Sequence, residues 1–425
     1  MRDSIIRTIA LGAFVVALPG APAFAQGKAF TWTTRSEEAK TMLKDLQWRI
    51  ESFQPVPGSA ELGKKIVALD PQFAMGVYYL SAVSATPAEG ERLYLEAREL
   101  AKKNASDGER RFIEAMEPVR TGGGANAVQA IPALEKIAAD YPGERLPAMI
   151  IGQILNGNNR SKEAVAWFRK AQAIGSSPRI EAFLANDDLF AGRYADARAK
   201  FALAEKQLPA GSVPFPIRFG VTFSHIYEGN TDAAIRSLET YLAEYKAGGL
   251  TQQFPEVFIH NAIARINLEA GRYEAALASY KKGYESVPGS TLAEQEKQTW
   301  FARLHHGTAR THARMGRFKE ADEGVEKIRQ MIITGGEPGR QFWPAYHYVA
   351  GYVALEKGDG PAALEHLLQA NGQDPFHTVL LARAYENVGR KAEAKAAYER
   401  IVASQWPGIE LPLAFPEAKK KALTL

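Results

Sequence analysis

Apolar positions in this chain recur at the spacing of one face of an α-helix, and alternation of the strand type is scarce. Ala197 is followed four residues later by Phe201, and Ala276 is followed by Tyr280 in the same way. Residues four apart lie on the same side of a helix. Ala, Leu, Glu, Lys and Arg dominate the segments between glycines, so the pattern predicts an all-α protein.

A glycine returns at intervals that bracket one pair of helices. Glycine ends a helix readily because it takes the left-handed conformation without a Cβ penalty. We therefore expect each of these glycines to end the first helix of a hairpin, and the uneven steps to reflect longer connections around Gly248-Gly249, Pro288 and Gly335-Gly336. The steps are 35, 37, 42, 45, 42 and 31 residues, and the glycines are Gly157, Gly192, Gly229, Gly271, Gly316, Gly358 and Gly389.

The residues that follow two of these glycines agree at every offset. The two sets are Tyr194, Ala197, Phe201, Ala204 and Pro209 after Gly192, and Tyr273, Ala276, Tyr280, Gly283 and Pro288 after Gly271. In spacing and residue type the chain resembles the tetratricopeptide repeat (TPR) family, whose period is about 34 residues. The resemblance implies a right-handed superhelical solenoid of antiparallel helix hairpins. It also implies a scaffold that binds partners in a concave groove.

The N-terminus has the pattern of an export signal. Arg2 and Arg7 precede an apolar run from Ile9 to Leu18, and Ala23-Phe24-Ala25 has the small-x-small form of a cleavage site. The run is about half the ~20 residues that span a bilayer. We expect cleavage before Gln26, a periplasmic or secreted protein, and no stable membrane span afterwards.

The chain divides into three segments. Residues 1–25 are the predicted signal peptide, residues 26–118 divergent N-terminal hairpins, and residues 119–425 TPR-like repeats that continue the same solenoid. Terminal repeats are commonly atypical because they cover an exposed core face. Thr34 with Glu37 predicts a capping box that opens the first helix.

Composition and motifs narrow the function. The chain has no cysteine, and its net charge of +4 is small for 425 residues. No basic block with interleaved aromatics occurs, so we expect no nucleic-acid partner, and Lys419-Lys420-Lys421 predicts a solvated tail. The chain has no Gly-x-Ser-x-Gly elbow. We expect no enzyme activity and no cofactor.

Three histidines repeat with the array. His260, His305 and His347 each lie eleven residues before a repeat glycine, at equivalent points of successive first helices. No His-Glu-x-x-His spacing occurs. We therefore interpret the imidazoles as structural and expect no metal site.

The resemblance places the groove positions ten, six and two residues before each glycine. These offsets differ by four and share one helical face. Before Gly229 they hold Phe219, Phe223 and Tyr227, an aromatic row that is either groove or buried core. Before the later glycines they predict a basic and aromatic surface, which is either a binding site or a solvated face. Its residues, with Arg303 added at a step of three, are Asn261, Arg265, Arg303, His306, Arg310, Arg314, Tyr348, Tyr352, Arg383 and Asn387.

The sequence favours an exported, non-catalytic scaffold that binds a peptide or protein partner, in cell-envelope assembly. The envelope role follows from export and from the binding habit of the family that the chain resembles. One alternative is a polysaccharide-handling or exopolysaccharide-export accessory protein, because groove aromatics stack on sugar rings. A less favoured alternative is an enzyme on a helical solenoid.

Overall fold

Helices form all the regular structure that the computed structural model describes. It describes residues 27–425 except 54–55, 122–123, 125, 159, 210–211, 248–254, 371 and 373. The predicted signal peptide, Gln26 and Gly248-Gly249 lie outside the described residues. The first eleven α-helices are α1 Glu37–Glu51, α2 Val56–Leu69, α3 Ala74–Ala82, α4 Pro87–Asn104, α5 Asp107–Ala115, α6 Glu117–Arg120, α7 Ile131–Asp140, α8 Leu146–Gly157, α9 Ser161–Ile174, α10 Pro178–Phe190 and α11 Tyr194–Lys206.

The second half continues in the same manner. Short 3₁₀ turns stand at Ala127–Ala130 and Arg340–Phe342, and no described helix combines the length and apolar character needed to cross a membrane. The remaining helices are α12 Phe215–Tyr227, α13 Thr231–Lys246, α14 Glu256–Glu269, α15 Tyr273–Ser286, α16 Glu294–Arg314, α17 Phe318–Thr334, α18 Gly336–Gly339, α19 Trp343–Glu356, α20 Gly360–Gln369, α21 Pro375–Asn387, α22 Lys391–Val402 and α23 Glu410–Thr424.

Consecutive helices pack as hairpins, and the hairpins stack. From α8 onward the hairpins are α8/α9, α10/α11, α12/α13, α14/α15, α16/α17, α19/α20 and α21/α22. The first helices of neighbouring hairpins also contact one another, in the pairs α14 and α16, α16 and α19, and α19 and α21. The all-α expectation is confirmed. The first helices form one continuous layer, which we call the inner layer, and its exposed side is the inner face.

The repeat glycines close the hairpins as the sequence predicts, with one exception. Gly192, Gly229, Gly271, Gly316, Gly358 and Gly389 all have φ between 72° and 80°. After Gly192 the Arg193 N–H donates to Asp188 O at 2.8 Å, which is the Schellman closure that a left-handed residue permits. Gly157 instead lies in the last turn of α8, and the side chain of Asn158 caps that end by donating to Ile154 O at 2.8 Å.

The alanine and aromatic positions of the repeat form the contacts between helices. Ala276 and Tyr280 of α15 are fully buried. Tyr280 packs on Gly307 of α16, where an added Cβ would lie 2.3 Å from the ring. Phe201 of α11 packs on Gly220 of α12 in the same way. A flat ring on a bare backbone lets successive hairpins approach closely.

The N-terminal segment before α1 contacts α5 and the residues that directly follow α7 and α2. The Phe30 ring lies 5.9 Å from Phe112 and 5.1 Å from Tyr141, between centroids, and Thr33 N–H donates to Glu109 Oε1 at 3.2 Å. Helix α1 is capped by Ser36, so the capping box predicted for Thr34 is wrong. The Thr34 hydroxyl instead donates to Asp70 at 2.6 Å, which ties the segment to the end of α2.

The C-terminal helix α23 folds back on the array. It packs on α21 and α22 and also on α12, about 190 residues earlier. Its apolar side consists of Leu411, Ala414 and Ala418, each at most 1% exposed, and Phe415 meets the Tyr227 ring edge-on at 5.4 Å. The solvated tail predicted at Lys419-Lys420-Lys421 is therefore part of a docked helix, and Lys421 pairs with Glu386 at 2.6 Å.

Candidate functional site

Six of the ten predicted groove residues line one cavity of about 650 Å³. Helix α16 contributes Arg303, His306 and Arg310, whose steps of three and four place them on one side of the helix. Helices α14 and α19 lie beside α16 in the inner layer. From α14 come Asn261 and Arg265, and from α19 comes Tyr348.

The opposite wall of the cavity was not predicted from the sequence. Helix α17 contributes Ile328, Met331 and Ile332, and the connection into α19 contributes Phe342 and Ala345. These side chains are apolar. The long interval between Gly316 and Gly358 supplies this wall, so the cavity exists because the repeat is extended there.

Two carboxylates reach the cavity from distant parts of the chain. Asp374 precedes α21 and caps it by accepting from Phe376 N–H at 2.8 Å, and Glu410 begins α23. Burial, and then the charge of Glu410, raise the pKa of Asp374. The cavity thus places three arginines against two carboxylates.

Arg265 is held by Glu410 in a buried ion pair. The two side chains are 11% and 19% exposed. Burial opposes both charges, but the mutual attraction outweighs it and raises the pKa of Arg265. By the same attraction the pKa of Glu410 falls to about 2. The charge of Arg265 is therefore already paired with a carboxylate of the same chain.

Arg310 is a buried cation without an acidic partner among the described residues. It is 4% exposed, and no described carboxylate forms an ion pair with its guanidinium. Its surroundings are aromatic, with guanidinium-to-centroid distances of 5.9 Å to Tyr348 and 5.7 Å to Tyr352. Its Nε and the Tyr348 hydroxyl have no hydrogen-bond partner in the described part of the chain. A buried guanidinium with an unsatisfied Nε–H is suited to an anion.

His306 and Arg303 complete the basic wall. The His306 ring stacks on Tyr348 at 4.7 Å. Burial and three neighbouring arginines hold the pKa of His306 well below 6.5, so the imidazole is neutral at pH 7. Arg303 is exposed, and its guanidinium lies 5.0 Å from the centre of the Trp300 ring. Arg303 forms no ion pair among the described residues, which leaves its charge free for a ligand.

The remaining four predicted residues do not line this cavity. Tyr352 is fully buried, so its expected place on the groove surface is wrong; it packs beneath Arg310. Arg314 lies 3.7 Å from Glu269 and 3.9 Å from Glu356, and these carboxylates offset its charge. Arg383 and Asn387 line a separate cavity of about 310 Å³.

Arg383 is paired in the same way as Arg265. Its Nε donates to Glu417 Oε1 of α23 at 2.9 Å, and that carboxylate also accepts from the Tyr398 hydroxyl at 3.2 Å. Helix α23 thus places Glu410 and Glu417 on two of the predicted groove arginines. A signal for this helix was present in the spacing of Leu411, Ala414 and Ala418.

The aromatic row before Gly229 belongs mainly to the core. Phe219 is 4% exposed, and Tyr227 stacks on Tyr194 at 5.3 Å between ring centroids while Phe415 covers its edge. Of the two interpretations left open by the sequence, the buried one fits these contacts.

The periodic histidines are buried or partly buried and contact neighbouring side chains. His260 is 5% exposed and hydrogen-bonds Glu256 at 3.0 Å, and His347 Nδ1 lies 2.9 Å from His366 Nδ1. His305 lies 6.1 Å from Tyr284, between ring centroids. No group of three or more candidate metal-ligand side chains occurs in the described part of the chain.

The comparisons with known proteins identify the repeat. Two family models, both described as tetratricopeptide repeat, match residues 127–178 and 224–291 and residues 379–405. The sequence matches no protein of curated function.

Solved structures that the chain resembles share little sequence with it. One is a tetratricopeptide repeat protein from Parabacteroides merdae (15% identity, TM-score 0.47, covering 65% of this chain and 99% of that one). Another is the human IFIT1 dimer with PPP-AAAA (16%, 0.42, 87% and 95%). A third is a signal transduction ATPase with a tetratricopeptide repeat sensor from Pyrococcus horikoshii (12%, 0.46, 92% and 54%). By the two family models the chain contains tetratricopeptide repeats, and the described residues fold into helix hairpins.

Proposed function

We propose that this protein is a non-catalytic, exported scaffold that binds a peptide or protein partner through its basic inner face. Tetratricopeptide repeats are typical of protein-interaction scaffolds. The observation that carries the proposal is the pair Arg303 and Arg310, which line an open cavity and form no ion pair with a carboxylate among the described residues. A partner that carries carboxylates would pair with Arg303, the exposed member of the two.

The chain's own C-terminal helix supports this chemistry. Glu410 and Glu417 of α23 engage Arg265 and Arg383, so the inner face already holds one helix by carboxylate and guanidinium contacts. Arginine is among the residue types that dominate binding energy at interfaces. Arg303 and Arg310 extend this series of arginines but have no such contact. We expect the partner to bind beside α23.

The contacts of the groove aromatics do not favour polysaccharide handling. A sugar stacks on an exposed ring face, but Tyr352 is fully buried and His306 already stacks on Tyr348. Phe219 is buried as well. The aromatic residues expected to form a glycan platform therefore do not offer one.

Export and a role in cell-envelope assembly are part of the proposal. They depend on the sequence before Gln26 and on the absence of cysteine. Expression of the full chain in a bacterium, followed by fractionation and mass measurement, tests export. We expect a periplasmic or secreted product that begins at Gln26, and an unprocessed cytoplasmic product would contradict it.

A charge reversal tests partner binding. Arg303→Glu changes an exposed residue of the cavity, and Arg169→Glu makes the same change at an exposed position of α9, outside the cavity. We expect the wild type and Arg169→Glu to capture the same partner from cell-envelope extract, and Arg303→Glu not to capture it. Circular dichroism verifies that both variants fold. Recovery of the same partners by all three proteins would contradict the proposal.

A further inference from the structure

We infer that the cavity between α16, α17 and α19 binds a small organic anion with an apolar body, of the class of medium-chain carboxylates. This goes beyond the proposed protein partner, because such a ligand would bind the purified chain with no other protein present. The inference comes from the chemistry of the two walls and from the polar atoms left unsatisfied between them.

The basic wall calls for a negative group. Arg310 is 96% buried, lines the cavity, and has an Nε without a hydrogen-bond partner in the described part of the chain. The Tyr348 hydroxyl beside it is unsatisfied as well. Buried donors without acceptors are costly, and a carboxylate has several lone pairs to offer them.

The carboxylates already present leave this end of the cavity unneutralised. Glu410 is engaged by Arg265, and Asp374 accepts the N–H of Phe376 at the start of α21. Neither forms an ion pair with Arg310. A neutral or cationic ligand would leave the Arg310 charge uncompensated.

The opposite wall calls for an apolar body. Ile328, Met331 and Ile332 of α17 line the cavity together with Phe342. Phe342 is 37% exposed, whereas Ile328 and Ile332 are 2% and 5% exposed. Apolar surface of this kind gains free energy when a ligand covers it. Inorganic phosphate alone would leave Phe342 in contact with water, so we place the charge and the apolar chain in one molecule.

The size of the cavity agrees with a small ligand. Its volume of about 650 Å³ lies within the roughly 300–1,000 Å³ of small-molecule sites. Arg310 lies deep in the site while Arg303 is exposed. We therefore place the carboxylate at Arg310 and the chain along α17.

Titration calorimetry with the purified chain tests the inference. The probes are octanoate, octanamide, butyrate and inorganic phosphate. We expect one octanoate site. Octanamide should bind at least about tenfold more weakly because it lacks the charge. Each methylene added between butyrate and octanoate should tighten binding about fourfold. Equal binding of octanoate and octanamide, binding of phosphate as tight as that of octanoate, or no octanoate binding at millimolar concentration would overturn it.

Variants locate the site. Arg310→Met should weaken octanoate at least about tenfold, and Ile332→Ala should weaken it while flattening the dependence on chain length. Arg169→Met, on α9, is the matched control and should bind as the wild type. If Arg310→Met does not fold, the octanoate and octanamide comparison on the wild type still decides the matter. If octanoate does not bind while Arg303→Glu still loses the protein partner, this inference is refuted and the proposed function stands.

Discussion

Replacing Glu410 by glutamine removes the charge that holds the start of α23 against the inner layer. The carboxylate pairs with Arg265, and its Oε2 accepts from Trp406 Nε1 at 3.1 Å. Glutamine has nearly the same shape and can still accept a hydrogen bond. The variant therefore leaves Arg265 buried and charged without its counter-ion.

The pKa of Glu410 and the usual cost of breaking a buried ion pair give similar free energies for this charge. The pKa of Glu410 falls from 4.5 to about 2, and each pKa unit corresponds to about 1.4 kcal/mol, so the ionised carboxylate contributes about 3 kcal/mol. Removing one partner of a buried ion pair costs about 3–5 kcal/mol. Because the pKa is lowered, this contribution is present above pH 4.5 and is lost as the pH falls toward 2.

Amide hydrogen exchange of α23 is the assay, since a repeat array need not unfold as one unit. We expect exchange in α23 to accelerate about a hundredfold in Glu410→Gln, with the distant hairpins unchanged. Glu399→Gln, at an exposed position of α22, is the matched control and should leave α23 as it is. Adding Arg265→Met to Glu410→Gln should recover part of the protection because no unpaired charge remains. Unchanged exchange of α23 in Glu410→Gln would refute the reasoning.

Two further predictions concern the packing of the repeat and the partly buried pair His347 and His366. Gly307→Ala should lower the free energy of unfolding by about 1–3 kcal/mol, because the new methyl group meets the Tyr280 ring. Gly157→Ala should raise it by up to about 1 kcal/mol, because a Cβ at Gly157 has nothing within 4 Å. Equal thermal midpoints for the two variants would contradict this. Burial and the neighbouring His366 lower the pKa of His347, so its NMR titration midpoint should lie below 6.5 and rise in His366→Ala. Since the pKa is lowered, the histidine contributes stability above pH 6.5 that is lost as the pH falls, and an unchanged or lower midpoint in His366→Ala would count against the pairing.

The hairpin framework could be predicted because its determinants are local. A positive φ at Gly192 or Gly271 and the closure around it involve residues within five positions of one another. The spacing of four residues between Ala276 and Tyr280 specifies which side of α15 is buried. Even the failure at Gly157 is local, since Asn158 closes that turn with its own side chain.

The site could be predicted only in part. Offsets from the glycines placed Arg265, Arg310 and Tyr348 on one face of the inner layer, and these residues do meet in the cavity. The same offsets failed for Tyr352, because the close stacking of α16 on α19 buries it. Nothing in a repeat offset states how deeply a neighbouring hairpin covers a given position.

The sequence by itself determined the helices, their ends and the sides by which they pack, because capping and helical spacing act over a few residues. Only the tertiary structure decided which arginines are free. Arg265 meets Glu410 across 145 positions of the chain, and α23 reaches α12 because the stacked hairpins bring the C-terminus back toward the middle of the array. Such pairings depend on the summed geometry of many hairpins. That geometry leaves Arg303 and Arg310 without acidic partners among the described residues and opens them to a ligand.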